Sequence, residues 1–312
     1  MKTLDSMCKF YDKLSNFGKL LVFVGILLVV IVLLKPLVKS ANNVVEGMEN
    51  QDKFLFKDGT AVYDDFYADI YDHLVYSSLK NDYEVGEIIN ITTPSEASII
   101  ADIGCGTGHH AGKISDKHLK VIGVDISPSM IEVAKKNSPN VDFKVGNALD
   151  GTLFNMNSLT HILCLYFTIY YFEDKRRFFD NAMDWLMPGG YLIVHLVDRE
   201  TFDPILPPGN PLYIVSPQKY AKERITKTKV TFNDFVYNAN FNLDKASNIA
   251  TFDEKFKFND GHTRKQQQKL YMEDTSAIVN IAQNSGFILH AKVDLVKCAY
   301  EYQYLYIFIK PT

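Results

Sequence analysis

The stretch that decides the fold is IIADIGCGTGHHAGKI, from Ile99 to Ile114, where an apolar run is followed at once by three glycines in five residues. The apolar run Ser98–Ile103 predicts a buried strand, and His109–Ser115 predicts the start of a helix. Glycine lets the backbone turn tightly and lets its N–H groups approach a ligand at the carboxyl end of a strand. The stretch therefore predicts a ligand-binding loop between a strand and a helix.

The chain around this loop alternates short apolar strands with helices. No hairpin signal joins the strands before residue 199, and such alternation predicts a doubly wound α/β fold with a mostly parallel sheet. Two late strands, Phe287–Val296 and Tyr302–Ile309, bring the predicted sheet to seven strands. The other predicted strands are Lys120–Asp125, Val141–Gly146, Thr160–Tyr166 and Tyr191–Val197, and the predicted helices include one after Ser127, Lys175–Leu186 and Asp274–Ser285.

The segment after the fifth strand has a different pattern. Residues 229–272 alternate apolar and polar side chains with period two, which predicts antiparallel strands. Asp260-Gly261 predicts a hairpin turn within them. Residues 199–272 are therefore predicted to be an antiparallel insert in the α/β fold. Three cationic side chains of this insert could grip an anionic group of a substrate or could form a solvated strand edge: Arg264, Lys265 and Lys269.

The N-terminal part of the chain contains an unbroken apolar run, Leu20–Leu34, which extends to Val38 past Lys35 and Pro36. About 20 apolar residues span a bilayer. Residues 20–38 therefore predict a transmembrane anchor, with a cleaved signal peptide and a buried core helix as alternatives. The predicted organisation is an N-terminal segment 1–19, the anchor 20–38, a linker 39–57 and a globular domain 58–312.

Composition narrows the classes of function. The 312 residues carry 33 Lys and Arg against 37 Asp and Glu, a formal net charge of −4. Without a global basic field, nucleic acid is not expected as an obligatory partner. The four cysteines lie far apart without the spacing of zinc ligands or of a disulfide framework. We therefore expect no metal site and free thiols in a reducing compartment.

Three kinds of glycine-rich loop compete to explain the opening stretch. A phosphate-binding loop needs Lys-Ser or Lys-Thr at a fixed offset after Gly104, and the sequence has neither. A dinucleotide fingerprint needs its third glycine at position 109, which is His109. The pattern that remains is Asp102-x-Gly104-x-Gly106-x-Gly108, an acidic residue followed by three alternate glycines.

This pattern resembles the first motif of the class I S-adenosylmethionine-dependent methyltransferases. VIGVDIS at 121–127 is similar to that family's second motif, FKVGNALD at 143–150 to its third-strand turn, and MPGGYLIV at 187–194 to the entry of its fifth strand. The resemblance covers most of residues 60–198. It implies a Rossmann-like methyltransferase fold, S-adenosylmethionine as the cofactor and, in residues 199–272, a cap over a small-molecule substrate.

The resemblance and the charges together assign candidate cofactor contacts. Asp102 suits the ammonium group of the ligand, and Asp125 can accept both ribose hydroxyls at the end of the second strand. Many members of the family have Asp at the position of Asn147. Val62–Leu79 has aromatic residues at rough helical spacing, and a similar N-terminal segment forms a lid over the cofactor in that family. The candidate cofactor-binding residues are Asp102, Gly104, Cys105, Gly106, Gly108, Asp125, Ile126, Met130, Asn147, Ala148, Tyr166, Tyr63 and Tyr71.

Methyl transfer needs alignment and exclusion of water more than a dedicated catalytic group, because the cofactor carries the activation. The candidates for a general base or a substrate contact are Tyr170, His195 and His161. His109 and His110 begin the helix after the loop, where they could contact substrate, cap the helix or face solvent.

The sequence therefore predicts a membrane-anchored methyltransferase acting on a small molecule or a lipid headgroup. Its alternatives are a protein methyltransferase acting on membrane-bound neighbours and a catalytically silent cofactor-binding scaffold. The lysines that flank the apolar run lean towards a cytoplasmic N-terminus, whereas the cytosolic supply of the cofactor favours a cytosolic domain. We expect the domain to be cytosolic, and the oligomeric state stays open.

Overall fold

The structure is a computed structural model, and it describes residues 15, 18, 19, 54–209 and 216–312. Phe54–Thr312 form one compact unit. In that part of the chain the longer helices are α1 (Asp65–Val75), α2 (Ser78–Thr92), α3 (His109–Ser115), α4 (Pro128–Asn137), α5 (Lys175–Trp185) and α6 (Thr275–Asn284). The strands are β1 (Phe54–Asp58), β2 (Ile99–Ile103), β3 (Lys120–Asp125), β4 (Asp142–Val145), β5 (Leu159–Cys164), β6 (Leu186–Val197), β7 (Lys227–Thr231), β8 (Phe235–Asp244), β9 (Ile249–Phe258), β10 (Thr263–Tyr271), β11 (Ile288–Asp294) and β12 (Gln303–Ile309).

Seven strands form the main sheet, in the order β11-β12-β6-β5-β2-β3-β4. Strands β2 to β6 are parallel to their neighbours, whereas β12 is antiparallel to β6 and β11 is antiparallel to β12. The predicted seven-stranded, mostly parallel sheet is confirmed. Strand β2 lies between β3 and β5, so the glycine-rich loop leaves the sheet where the chain winds to either side, the usual place for a ligand in open α/β sheets.

Five strands form a second sheet, in the order β1-β10-β9-β8-β7. Strands β7 to β10 are antiparallel, as their period-two pattern predicts, and Asp260-Gly261 lies in the turn between β9 and β10. We call this second sheet the cap sheet. Its outer strand, β1, lies within the predicted linker 39–57 and pairs in parallel with β10. The boundary of the globular unit is therefore four residues earlier than predicted.

The predicted membrane anchor lies outside the described residues and stays a prediction. Among the helices that the structure describes, none combines the length and the apolar character needed to cross a bilayer.

The aromatic segment predicted as one helix over Val62–Leu79 is two helices, because the chain is extended at Tyr76 and Ser77. Each helix begins at a side-chain cap. Asp64 accepts a hydrogen bond from the Tyr67 N–H, and Ser77 accepts one from the Lys80 N–H. Such caps replace partners that the first turn of a helix lacks. The second cap starts α2, a helix that the sequence pattern did not predict.

Arg264 fastens the cap sheet to the start of α1. The side chain is 4% exposed, and its guanidinium donates hydrogen bonds to both oxygens of Asp64, at 2.9 and 2.8 Å, and to the Val62 carbonyl at 2.9 Å. The expectation that Arg264 could grip a substrate anion is wrong, because these contacts occupy its donors. Lys265 and Lys269, the other two cations of that group, are exposed.

Replacing Arg264 by methionine removes the nearer of the two cations paired with Asp64, the other being Lys57 at 3.5 Å, and leaves the Val62 carbonyl without a donor. Breaking a buried ion pair on one side costs about 3 kcal/mol. We expect R264M to lower the free energy of unfolding in urea by about that amount. The control is K265M on the exposed face of the same strand, which we expect to change it by less than about 0.5 kcal/mol. Equal stability of the two variants would contradict this role of Arg264.

Candidate functional site

The glycine-rich loop is held against β3 by its own backbone. The N–H groups of Gly104 and Cys105 both donate to the Val124 carbonyl, at 2.8 and 3.0 Å. A side chain at position 104 would lie 2.5 Å from the Thr168 side chain, so only glycine fits there. Gly106 has a φ of +53°, a conformation that L side chains rarely adopt. Steric crowding and backbone conformation thus explain why this loop needs glycine.

A cleft of about 600 Å³ opens between this loop and the helices α1 and α2. We call it the loop cavity. It brings together six of the predicted cofactor-binding residues. They are Asp102, Gly104, Cys105, Gly106, Tyr71 and Tyr166.

Asp102 lines the loop cavity with a carboxylate that is only partly satisfied. The residue is 2% exposed, and its Oδ2 atom has no hydrogen-bond partner in the described structure. Burial raises the pKa of Asp102 to about 6, an effect that the nearby His110 only partly opposes. A buried carboxylate oxygen without a donor is costly. A cationic group in the cavity would remove that cost.

Asn81, on α2, faces the same cavity and was not predicted. It is 3% exposed, and neither its Nδ2 nor its Oδ1 atom has a partner. The side chain therefore offers a donor and an acceptor to whatever enters the cavity. Buried polar groups are nearly always hydrogen-bonded, so an unpartnered amide at a cavity wall points to a bound polar ligand.

A buried ionic chain from α2 completes this wall. Glu84 accepts hydrogen bonds from the ammonium group of Lys80 and is bonded at 2.8 Å to Nε2 of His110. Burial raises the pKa of Glu84, but the charge of Lys80 and the bond from His110 outweigh it, and the pKa falls to about 2. Glu84 is therefore ionised at neutral pH. The ring of His110, whose side chain is 21% exposed, is thus paired with this buried carboxylate, and a substrate contact for His110 stays a prediction.

Asp72 joins α1 to the glycine-rich loop. Its Oδ1 accepts a hydrogen bond from the Thr107 hydroxyl at 2.6 Å, and its Oδ2 lies 2.7 Å from Nε2 of His109. The His109 ring also stacks on Tyr76, with centroids 3.9 Å apart. His109 thus fixes helix α1 over the loop, and its ring nitrogen is committed to Asp72.

Asp125, at the end of β3, accepts two backbone hydrogen bonds. Its Oδ2 takes one from the Gly106 N–H at 3.0 Å, and its Oδ1 takes one from the Ser127 N–H at 2.8 Å. A carboxylate has about four acceptor positions, so each oxygen keeps one for a ligand hydroxyl. Burial raises the pKa of Asp125. The carboxylate is thereby held in a fixed orientation beside the loop.

Seven predicted cofactor contacts are not among the residues that line the loop cavity, and their roles stay predictions: Asp125, Tyr63, which is described below, and five others. Ile126 is 46% exposed just after Asp125. Asn147 is exposed, and its Oδ1 accepts the Leu149 N–H. The other three are buried behind the loop or under α1: Gly108, Met130 and Ala148.

A second cavity, of about 680 Å³, lies beneath the cap sheet, and we call it the cap cavity. Tyr71, Val75 and Tyr166 line both cavities, so the two are neighbours separated by a thin shared wall. The cap cavity is largely aromatic, with one amide from β10, Gln268, among its polar groups. Tyr63, another predicted contact, lies here; its hydroxyl donates to the Tyr171 hydroxyl at 2.7 Å, and its oxygen lies 3.1 Å from Gln268 Oε1.

His195 supports the shared wall and does not reach either cavity. It is fully buried, and its Nδ1–H donates to the carbonyl of Tyr166. Tyr166 itself has a φ of +51°. Non-glycine residues in this conformation store strain and need support from their surroundings. Burial lowers the pKa of His195 to about 4, so the ring is neutral and out of solvent. His195 thus positions Tyr166, and its role as a catalytic base stays a prediction.

The other two catalytic candidates also lie away from both cavities. Tyr170 is fully buried, and its oxygen accepts the Val197 N–H at 2.8 Å. His161 is 4% exposed near the start of β5, stacks on Tyr191 and is bonded to Thr160. Both side chains belong to the core, and a catalytic role for either of them stays a prediction.

Glu254 organises the polar layer behind the cap cavity and was not predicted. It is 2% exposed and accepts hydrogen bonds from the hydroxyls of Tyr237 and Tyr67, at 2.6 and 3.0 Å, and from the amides of Gln266 and Gln268, at 2.7 and 2.8 Å. Burial raises its pKa. The donors fix Gln268 at the cavity wall.

Comparison with known proteins agrees with this geometry. Residues 100–190 match the family model described as methyltransferase domain. The dTDP-4-amino-2,3,4,6-tetradeoxy-D-glucose N,N-dimethyltransferase of Saccharopolyspora spinosa is 33% identical over 146 residues, which are 45% of this chain and 57% of that protein. A demethylmenaquinone methyltransferase of Chlorobaculum tepidum is 33% identical over 103 residues, 32% of this chain and 42% of that protein. The chain thus matches about half the length of these relatives.

Solved structures share the fold. The CcbJ methyltransferase from Streptomyces caelestis superposes with a TM-score of 0.60 at 15% identity, covering 81% of this chain and all of that one. The S-adenosylmethionine-bound amino pentose methyltransferase CalS10 from Micromonospora echinaspora gives a TM-score of 0.56 at 16% identity, covering 78% and 96%. Over residues 100–190 this chain is therefore similar to a methyltransferase domain, and it shares the fold of these solved methyltransferases.

Proposed function

We propose that the chain is an S-adenosylmethionine-dependent methyltransferase whose cofactor binds in the loop cavity. The observation that carries this is the unpartnered Oδ2 of Asp102 beside the glycine-rich loop. The residues fit the group: Asp102 suits its ammonium, Asn81 offers a donor and an acceptor to its polar end, and Asp125 keeps acceptor positions for its ribose hydroxyls. S-adenosylmethionine supplies an electrophilic methyl group whose carbon–sulfur bond breaks as the bond to the acceptor forms.

The acceptor that the cap cavity fits best is a small molecule with an amine. The described residues that line this cavity include no Lys, Arg or His, and the carboxylate among them, Asp203, already accepts hydrogen bonds from the Ser216 hydroxyl and the Gln218 amide. Burial raises the pKa of the lining tyrosines Tyr63, Tyr67 and Tyr171 above their usual range, so they do not act as bases near neutral pH. A neutral amine attacks through its own lone pair, whereas an alcohol needs a base to remove its proton.

Aromatic rings also favour an amine. Tyr and Phe faces attract cations within about 6 Å, and the cap cavity is walled by rings of both kinds. The named activities of several relatives, such as the N,N-dimethyltransferases of amino sugars, support the same class of acceptor. The cap sheet roofs the cavity, which favours a small acceptor over the side chain of a folded protein.

The predicted anchor 20–38 and the cytosolic position of the domain remain parts of this proposal. They rest on the apolar run Leu20–Leu34 and on the supply of the cofactor. A lipid headgroup with an amine would satisfy both the cavity chemistry and the anchor, and a soluble amine would satisfy the cavity alone.

Transfer of labelled methyl groups tests the function directly. Membranes that carry the full-length chain are given methyl-labelled S-adenosylmethionine, and label is then counted in lipid, aqueous, protein and nucleic-acid fractions. We expect label on nitrogen in the lipid or the aqueous fraction. The control is Asp125→Asn, which keeps the shape of the side chain and halves its acceptors. Label in the protein fraction, or label that is equal in the control, would contradict the proposal.

Protonation of Asp102 should weaken cofactor binding in acid. The ammonium group needs the ionised carboxylate, and burial raises the pKa of Asp102 to about 6. We therefore expect the affinity for S-adenosylmethionine to fall about tenfold between pH 7.5 and pH 5, measured by isothermal titration calorimetry. Asp102→Asn should bind at least about tenfold more weakly at pH 7.5 and show a flat profile. A profile that keeps its slope in this variant would assign the titration to another group.

The same substitution should stabilise the protein without its cofactor. The pKa of Asp102 is higher in the folded state than in the unfolded state. The contribution of such a group to the free energy of unfolding is fully present below the unfolded pKa, near 4, and is lost as the pH rises through the folded pKa, about 6. At pH 8 the ionised Asp102 therefore lowers the free energy of unfolding by about 3 kcal/mol, a cost that Asn at this position would not carry. We expect Asp102→Asn to raise the free energy of unfolding in urea at pH 8 and to have little effect at pH 4. A loss of stability at pH 8 would contradict this account.

Asn81 allows binding to be separated from stability. Asn81→Leu keeps the size of the side chain and removes two unpartnered buried polar atoms, so the free energy of unfolding should not fall. Cofactor affinity should fall about tenfold, because two ligand hydrogen bonds are lost. Asn284→Leu, at an exposed position at the end of α6, is the control. Unchanged affinity in Asn81→Leu would exclude Asn81 from the site.

A further inference from the structure

The outer face of the cap sheet carries two adjacent cross-strand rows that we call the lysine face. One row joins Phe56, Lys265, Lys255, Asn238 and Lys229 across all five strands. The next row on this face crosses the same five strands and consists of Phe54, Thr263, Lys257, Val236 and Thr231. These ten positions hold four lysines and no carboxylate, in a chain whose net charge is −4.

The lysines of this face are exposed and have no acidic partner. Within the described residues, none of the four makes an ion pair. Lys265 lies directly opposite Lys255 in the antiparallel pair β9–β10. Like charges directly opposite each other destabilise a sheet. Folding alone therefore gives no reason for this arrangement.

Protection of an exposed strand edge does not explain the lysine face either. Lysines often guard edge strands against pairing with other chains. Lys255 and Lys257, however, lie on β9, the central strand of the five. Only Lys229, on β7, is at an edge.

Exposed aromatic side chains lie at one end of both rows. Phe54 and Phe56 on β1 are 51% and 53% exposed, and the ammonium of Lys265 lies 5.0 Å from the centre of the Phe54 ring. Basic side chains beside exposed aromatics are the combination that binds an anionic membrane surface, since the charges meet the headgroups and the rings enter the interface. In the sequence, fifteen residues separate Phe54 from Val38, the end of the predicted anchor.

We propose that the lysine face docks on an anionic lipid surface and holds the cap sheet against the membrane. The proposal rests on the exposure, charge and register of the face, and it goes beyond the proposed methyltransferase activity without depending on it. Each lysine near an anionic leaflet adds about a fivefold preference for it, and salt weakens the attraction because charges more than about 10 Å apart are screened at 0.1 M.

Lysine acetylation on vesicles tests the docking with the full-length chain. The protein is reconstituted into phosphatidylcholine vesicles with or without about 30% phosphatidylserine, acetylated briefly, and analysed by mass spectrometry. We expect acetylation of Lys229, Lys255, Lys257 and Lys265 to slow at least about fivefold with phosphatidylserine and to recover in high salt. Exposed lysines elsewhere serve as internal controls: Lys117, Lys120, Lys135 and Lys136.

A charge-matched pair of variants makes the test specific. Lys227 and Lys269 are exposed on the same face and report on docking in both variants. Replacing the four lysines of the face by Gln should abolish the slowing of acetylation that phosphatidylserine causes at these two residues. Replacing the four control lysines by Gln should leave that slowing unchanged. Equal acetylation on both kinds of vesicle, or equal slowing at the control lysines, would overturn the proposal. Slowing by a single-stranded oligonucleotide but not by phosphatidylserine would assign the face to nucleic acid and overturn it as well. Binding of S-adenosylmethionine is measured separately, so that failure of the docking proposal and failure of the proposed activity can be told apart.

Discussion

The arrangement of the site depends on how Asp72 holds helix α1 on the glycine-rich loop. Its two carboxylate oxygens bind Thr107, in the loop, and His109, the first residue of α3. At the other end of α1, Asp64 is bound by Arg264 of the cap sheet. One short helix thus connects the ligand-binding loop with the roof of the cap cavity. If either carboxylate were lost, α1 would keep its apolar contacts, but one of its ends would no longer be fixed. The loop cavity and the cap cavity would then no longer be held in a fixed relative position.

The shared wall between the cavities contains a residue with a strained backbone conformation, Tyr166. Tyr166 has a positive φ directly after β5, and the buried, neutral His195 stabilises its carbonyl. Tyr71, from α1, forms the other part of the wall. In-line methyl transfer needs the donor carbon and the acceptor atom in direct contact, so in the proposed reaction they would meet beside these side chains. Among the described residues no histidine lines the cap cavity, and the two that line the loop cavity, His109 and His110, are paired with carboxylates.

The sequence predicted the sheet and the loop well because both depend on local patterns. Apolar runs followed by glycine, and Pro or Ser at helix starts, determine these elements without help from distant residues. It did not predict the polar wall of α2, because Lys80 and Glu84 at i and i+4 have the same pattern as a solvated surface pair. Their burial follows from packing against α3, which no local pattern reveals. The complete burial of His195 and Tyr170 also depends on distant residues, whereas their chemistry alone suggested a catalytic role.

Glu254 shows that one further signal was present in the sequence. In the segment TFDEKFKF, Glu254 has the same parity as Phe252 and Phe256, which places a carboxylate on the buried face of β9. A charged residue on the apolar face of a strand must find several donors or lose its charge. Glu254 finds four, from two tyrosines and two glutamines. Asp102 and Asn81 differ from it because their partners are absent from the chain itself. Glu254 is satisfied by the fold and serves to hold it, whereas the other two side chains keep unsatisfied atoms at a cavity wall, where a ligand can complete their hydrogen bonds.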